Sequence, residues 1–217
     1  MAKATEVSQG VVISAPNFKR MSVQIVGTSP LVMNKFSQKA REQMVATQEL
    51  GTKAAKKGGA KPPKDFDACY EGAFHRSREG WAGIPAAAFR AAMVSACRAT
   101  SQKMTIAKMA VFVEAQGFDV DEGTPLIKIL GDPPKRLEML VVVGQGGHDV
   151  RIRPMWLQWG CVVTIKYDAD MFDPQSIINL LARAGVQVGV GEGRPSSKMS
   201  CGQGWGCFEV ATEKKSK

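Results

Sequence analysis

The sequence GVQVGVGEGRPSSKMSCGQGWGCFEV spans residues 185–210 and contains seven glycines. Glycine tolerates positive φ and lets a second backbone approach closely, so this density indicates a loop shaped for contact or a series of sharp turns. Arg194, Lys198 and Trp205 stand among the glycines, and two cations with one indole ring suit phosphate groups and a stacked base. The alternative is a solvated hairpin whose charged and aromatic side chains bind nothing.

The residues on either side of this stretch predict a strand, a helix and a second strand. Apolar and polar residues alternate over 161–167, which is typical of a half-buried strand. Asp173 and Pro174 form an N-cap followed by proline at the first helical position, and we expect the helix to end with Gly185 at the C′ position. A last strand is predicted over residues 206–211.

The N-terminal half has the same order of strand, helix and strand. Residues 21–25 alternate as a strand, Pro85 begins an alanine-rich helix, and residues 109–115 are typical of another strand. Two such units predict an α+β protein with the split βαβ core of a ferredoxin-like, RNA-recognition-motif-like fold. We expect a single domain (1–217) with this core in residues 17–28, 83–115 and 159–211, a basic insertion at 29–82, a β-rich insertion at 116–158 and a basic tail at 212–217.

The charge of the chain favours a polyanionic partner. The net charge is +9, and eight basic but only two acidic residues lie between positions 29 and 64. Basic grooves with interleaved aromatic rings suit single strands, whose exposed bases stack at ~1–3 kcal/mol each. We therefore predict that the chain binds single-stranded RNA or DNA.

The candidate nucleic-acid-binding residues are basic side chains spread along the chain and two tryptophans close to them. They are Lys35, Lys39, Arg41, Lys53, Lys56, Lys57, Arg76, Arg78, Arg90, Arg98, Arg151, Arg153, Trp156, Arg194, Lys198 and Trp205. For each tryptophan, the alternative is packing in the core or between subunits. For the basic residues, the alternative is a solvated surface.

The sequence lacks the common catalytic and cofactor motifs. It has no GxxxxGK[ST] phosphate loop and no GxSxG elbow, and its glycine-rich stretch follows a helix rather than opening one. Five cysteines without a C-x-x-C pair and two histidines do not give the spacing of a metal site, so we expect reduced, mostly buried cysteines. We predict a protein with no catalytic residues, no metal and no cofactor.

Membrane and export signals are also missing from the sequence. No apolar run approaches the ~18 residues that a transmembrane helix needs. The first residues lack the basic and then apolar pattern of a secretory signal. The sequence therefore predicts a cytoplasmic protein without a membrane partner.

Three stretches resemble the RAMP superfamily, the RNA-recognition-like backbone subunits of CRISPR effector complexes. Residues 25–31 (IVGTSPL) resemble the first strand and turn of that family. Residues 83–90 (GIPAAAFR) resemble its helix start, with alanine where serine is usual. The glycine-rich stretch that ends at Phe208 is similar to its C-terminal glycine loop. Residues 184–210 also resemble phage and prophage proteins, so the chain is identified as similar to a phage-encoded RAMP-like protein.

The resemblance implies a palm with an inserted thumb, here residues 29–82, and a homo-oligomeric filament of subunits along one nucleic-acid strand. It implies that Arg90 faces the phosphates and that the protein acts in the host cytosol. Some relatives cut RNA with an aspartate in this insertion, for which Asp65 or Asp67 is the candidate here. A metal-dependent ribonuclease and a self-assembling structural phage protein are therefore the alternative functions.

Overall fold

The computed structural model describes residues 13–35, 41–42, 45–46, 48–49, 63–143, 147–197 and 202–211. It is a mixed α+β protein with antiparallel sheets. The elements of the first part are β1 (Phe18–Gly27), β2 (Leu31–Val32), α1 (Phe66–Glu71), β3 (Gly83–Pro85), α2 (Ala86–Ala96), a 3₁₀ turn (Cys97–Ala99), α3 (Met104–Ala110) and β4 (Val111–Glu114). They are followed by β5 (Gly117–Phe118), β6 (Pro125–Lys128), β7 (Leu130–Gly131), β8 (Lys135–Val143), β9 (Gly147–Trp156), β10 (Trp159–Asp168), α4 (Pro174–Arg183), a π-helical turn (Ala184–Val188) and β11 (Phe208–Val210).

The largest sheet has the strand order β11-β1-β10-β4, and β7 pairs with one end of β10. Neighbouring strands are antiparallel, with Val23 of β1 opposite Val163 of β10. Alternation places the apolar side chains of both strands on one face, where α2 and α4 cover them. Phe89 of α2 and Leu181 of α4 are fully buried in this core. The strand and the helix predicted before the glycine-rich stretch and the strand predicted at its end are confirmed.

The end of α4 differs from the sequence-based expectation. Gly185 does not close the helix in a left-handed conformation, because the chain continues as a π-helical turn up to Val188. Gly189, with φ of 71°, takes the terminal position instead. Gly185 is required for a different reason, since a Cβ atom there would lie 2.0 Å from the carbonyl oxygen of Phe208. Close packing against β11 selects this glycine.

Two smaller sheets flank the main one. One has the order β2-β9-β8 and the other has the order β3-β6-β5. Within the predicted β-rich insertion, β9 is a ten-residue strand that pairs with β8 from Gly147 to Met155 as a long ribbon. In the described part of the chain, no helix has the length and apolar character that crossing a membrane requires.

Candidate nucleic-acid interface

A groove of about 840 Å³ opens between the glycine-rich loop, the β8–β9 ribbon and the start of α2. Arg151 of β9 lies on one wall, and Arg194 and Trp205 of the loop lie on another. His75 and Glu192 also line the groove. The fold thus brings together basic and aromatic side chains that are far apart in the sequence.

The glycine-rich loop is a packed structure in the part that is described, not a solvated hairpin. The amide of Val190 donates to the carbonyl of Gly206 (3.0 Å), and the amide of Gly206 donates to the carbonyl of Pro30 (2.7 Å). Val190 is buried, and so is Gly206. These bonds hold the loop against the turn that follows β1 and give the groove wall a fixed shape.

Trp205 and Arg194 are both positioned by the backbone of the loop. The six-membered ring of Trp205 lies against Gly193, where a Cβ atom would be 2.5 Å from Cε3 of the indole. The guanidinium of Arg194 donates through Nη1 to the carbonyl of Gly191 at 3.1 Å. Both side chains remain partly exposed. One aromatic ring and one cation therefore face the groove from the same short segment.

Glu192 lies between two arginines of β9. Its Oε2 atom accepts a hydrogen bond from Nε of Arg153 at 2.6 Å, and its Oε1 atom lies 3.7 Å from Nη1 of Arg151. The side chain of Arg151 is 39% exposed, while that of Arg153 is 14% exposed. Arg151 is therefore open to a phosphate, whereas Arg153 mainly holds Glu192 in place.

A buried ionic cluster lies beside the groove. Nζ of Lys35 donates to Asp119 Oδ1 (2.8 Å) and Asp121 Oδ2 (2.7 Å), and Nδ1 of His75 lies 3.2 Å from Asp119 Oδ2. Asp119 is fully buried, and Lys35 is 8% exposed. Lys35 is therefore committed to two carboxylates and is left out of the proposed binding surface.

The pKa values of this cluster follow from burial and hydrogen bonding. Burial alone would lower the pKa of Lys35, but its bonds to Asp119 and Asp121 outweigh it and raise that pKa. Burial would raise the pKa of Asp119, but bonds from Lys35 and from the amides of Glu122 and Asp121 lower it. Burial lowers the pKa of His75, and Asp119 offsets this only in part. The folded protein thus favours charged Lys35 and Asp119 beside neutral His75.

These shifts predict that acid destabilises the protein in two steps. Because His75 and Asp119 bind protons more weakly in the folded state, the free energy of unfolding falls as the pH is lowered. The loss begins below about pH 6.5 for His75 and continues below about pH 4 for Asp119. Urea unfolding between pH 7.5 and 5 measures the first step, which we expect His75→Gln to flatten. A free energy of unfolding that is constant over this range would contradict the prediction.

Arg90 has an internal role. Its Nε donates to the carbonyl of Val111 at 2.9 Å, and Nη2 donates to the carbonyl of Lys108 at the end of α3. Its guanidinium also lies 4.8 Å from the centre of the Phe112 ring. These contacts join α2 to the end of α3 and to β4, so we leave Arg90 out of the proposed surface.

Trp156 lies in the core. It is 3% exposed and packs edge to face against Phe74 with the ring centres 5.7 Å apart. A ring enclosed in this way offers no face to a base. The sequence left core packing open as the alternative role of each tryptophan, and Trp156 has that role in this structure.

The other described candidates lie outside the groove lining. Arg41 pairs with Glu122, and Arg76 pairs with Glu71 at 2.7 Å. Arg78 and Arg98 are exposed on the surface. The remaining candidates fall outside the described residues: Lys39, Lys53, Lys56, Lys57 and Lys198. Of the predicted set, the groove lining contains Arg151, Arg194 and Trp205.

The two aspartates considered for ribonuclease chemistry have structural partners. Asp65 is the N-cap of α1 and accepts from the amides of Asp67 and Ala68, each at 3.0 Å. Asp67 forms an ion pair with Arg136. Within the described ranges, no group of three or more acidic, histidine or cysteine side chains is arranged to hold a metal ion. Both carboxylates are therefore engaged by partners within the fold.

Sequence reasoning missed Glu192 and His75 as groove residues. Glu192 is one of two acidic residues in the glycine-rich stretch, which is a weak signal, and nothing in the local sequence distinguishes His75. Comparison with known protein families found no matching family, and comparison with curated proteins found no relative. Function is therefore inferred from the groove and from the residues that line it.

Proposed function

We propose that the chain binds single-stranded nucleic acid in this groove and carries out no catalysis. The observation that carries the proposal is the meeting of Arg151, Arg194 and Trp205 in one groove of about 840 Å³. A single strand exposes both its bases and its phosphates, and one ring and two cations in one groove offer partners for both. A duplex hides its base faces and offers nothing for Trp205 to stack on.

The glycines support this proposal because they shape the backbone that carries Arg194 and Trp205. Gly191, Gly193 and Gly204 have positive φ values between 70° and 79°, a conformation that side chains other than glycine rarely adopt. The resulting backbone bends sharply and carries no side chains at these points. At Gly191 and Gly193 the space of a side chain is taken by Val32 and by the Trp205 ring, so these two glycines position the loop and the ring, while at Gly204 that space is open.

For the fold we infer a ferredoxin-like core, which is the architecture expected of a RAMP-like protein. The strand order β11-β1-β10-β4, with two helices on one face, supports this assignment. A phage-encoded subunit that oligomerises as a filament along the strand belongs to the same proposal. Size-exclusion chromatography of nuclease-treated protein, with and without an added oligonucleotide, tests the oligomer separately from the binding.

Fluorescence anisotropy with labelled single-stranded RNA, single-stranded DNA and duplex tests the binding. We expect at least one single strand to bind more tightly than the duplex. We also expect log K to fall with log salt concentration by about 0.7 for each neutralised phosphate. Trp205→Ala should weaken binding by about tenfold or more, because a base stack alone contributes ~1–3 kcal/mol. Arg194→Ala should weaken binding by a similar factor, because it removes a phosphate contact.

Arg98→Ala is the matched control, since it removes one exposed cation from outside the groove lining. Thermal melting of each variant separates lost binding from lost folding. Equal losses for Arg98→Ala and Arg194→Ala would mean that overall charge, not a shaped groove, attracts the strand. A salt-independent affinity would contradict phosphate binding.

A further inference from the structure

Glu192 is fixed at the wall of the groove by its backbone. Its amide donates to the carbonyl of Val32 in β2 at 2.9 Å. The preceding Gly191 lies so close to β2 that a Cβ atom would be 2.6 Å from the same carbonyl oxygen. The main chain at Glu192 therefore has little freedom, and the position from which its side chain extends is fixed.

The carboxylate of Glu192 is held on one side and open on the other. Arg153 binds Oε2 at 2.6 Å, which fixes the orientation of the group. Oε1 lies 3.7 Å from Arg151, a separation too long for a hydrogen bond. Since a carboxylate oxygen accepts about two hydrogen bonds, Oε1 keeps acceptor capacity toward the groove that it lines.

Trp205 lines the same groove as this acceptor. Its ring lies against Gly193, the residue that follows Glu192, and its amide lies 3.3 Å from the Gly193 carbonyl. A base that stacks on the indole presents its hydrogen-bonding edge sideways, away from the ring. The carboxylate and the ring thus line one groove from neighbouring parts of the loop.

We propose that Glu192 selects the base that stacks on Trp205, favouring bases with an exocyclic amino group such as cytosine over uracil or thymine. This inference rests on the proposed strand binding. An ionised carboxylate only accepts hydrogen bonds, so it pairs with the amino group of cytosine and repels the carbonyl oxygen that uracil carries at the same position. Cytosine and uracil have the same ring size but differ at N3 as well, where uracil carries an N–H group and cytosine does not, so the contribution of the amino group has to be tested separately.

The test compares oligocytidylate with oligouridylate of equal length by anisotropy on the natural protein. We expect oligocytidylate to bind about tenfold more tightly, because a hydrogen bond to a charged group is worth about 1.5–3 kcal/mol. An oligonucleotide of N4,N4-dimethylcytidine, which lacks the N–H donors, should bind no better than oligouridylate. This comparison requires no variant, so a folding defect cannot produce its result.

Glu192→Gln tests the role of the carboxylate directly. The amide both donates and accepts, so we expect the preference for cytosine to shrink below about twofold, mainly through tighter binding of oligouridylate. Glu209→Gln, which removes an exposed carboxylate of β11, should keep the full preference. Thermal melting checks whether Arg153, left without its partner, destabilises the Glu192 variant.

Three outcomes would overturn the inference. Equal affinity of the natural protein for the two oligonucleotides would overturn base selection and leave strand binding intact. Equal gains for both oligonucleotides in Glu192→Gln would show that Glu192 acts only by offsetting the arginine charges. Failure to bind any single strand would overturn the proposed function and this inference together.

Discussion

Alanine at position 206 is expected to destabilise the protein by at least about 3 kcal/mol and to disrupt the glycine-rich loop. Gly206 has φ of 68°, and a Cβ atom there would lie 1.8 Å from the carbonyl oxygen of Val190. That carbonyl cannot easily move, because Val190 itself donates to Gly206 and Gly206 donates to Pro30. Backbone strain and a backbone collision therefore act together. Urea unfolding followed by circular dichroism measures the loss.

Gly204→Ala is the matched control for this experiment. Gly204 has nearly the same φ, 70°, but a Cβ atom there would meet nothing within 4 Å. Its replacement therefore introduces only the cost of a left-handed conformation, about 1–2 kcal/mol. Similar losses for the two variants would show that the close contact between Gly206 and Val190 does not limit stability.

Replacement of Asp119 by alanine is expected to cost about 3–5 kcal/mol of unfolding free energy. Its carboxylate is fully buried and accepts from Lys35, so its loss leaves a buried ammonium with one partner, Asp121. Removing one member of a buried ion pair is far more costly than removing both. The double variant Lys35→Met with Asp119→Ala should therefore regain a large part of the loss. Chemical denaturation of the natural protein, of Asp119→Ala and of the double variant tests this order of stability.

Asp121→Ala provides the comparison within the same cluster. Asp121 also binds Lys35, but its side chain is 53% exposed, and exposed ion pairs contribute about 1 kcal/mol or less. We expect a loss of that size. If Asp119→Ala lowers the free energy of unfolding no more than Asp121→Ala does, the burial of Asp119 does not strengthen its ion pair with Lys35.

Local patterns in the sequence were sufficient for the main strands and helices. The alternation over residues 161–167 predicted β10, and Asp173 followed by Pro174 predicted the start of α4. The end of α4 was predicted wrongly, because Gly185 is selected by contact with Phe208, a residue 23 positions away in the chain. Contacts between residues so far apart in the chain are not visible in the local sequence pattern.

Only part of the candidate set lines the groove. Arg194 and Trp205 of the glycine-rich stretch do so together with Arg151 of β9. Arg90 and Lys35 were candidates because they are basic, but their carbonyl and carboxylate partners come from other elements. Charge alone does not separate a cation that binds a ligand from one that joins two parts of the fold.

The contacts between the turn after β1 and the glycine-rich loop set the time at which the groove can form during synthesis. Thr28 donates to the carbonyl of Cys207, and Cys207 donates to the hydroxyl of Ser29, both at 2.9 Å. The described pairs of β1 are with β10 and β11, so this strand gains both neighbours only after residues 208–210 have been synthesised. Contacts that are so distant in sequence slow folding. A nascent chain that stops before Gly206 therefore has no completed groove.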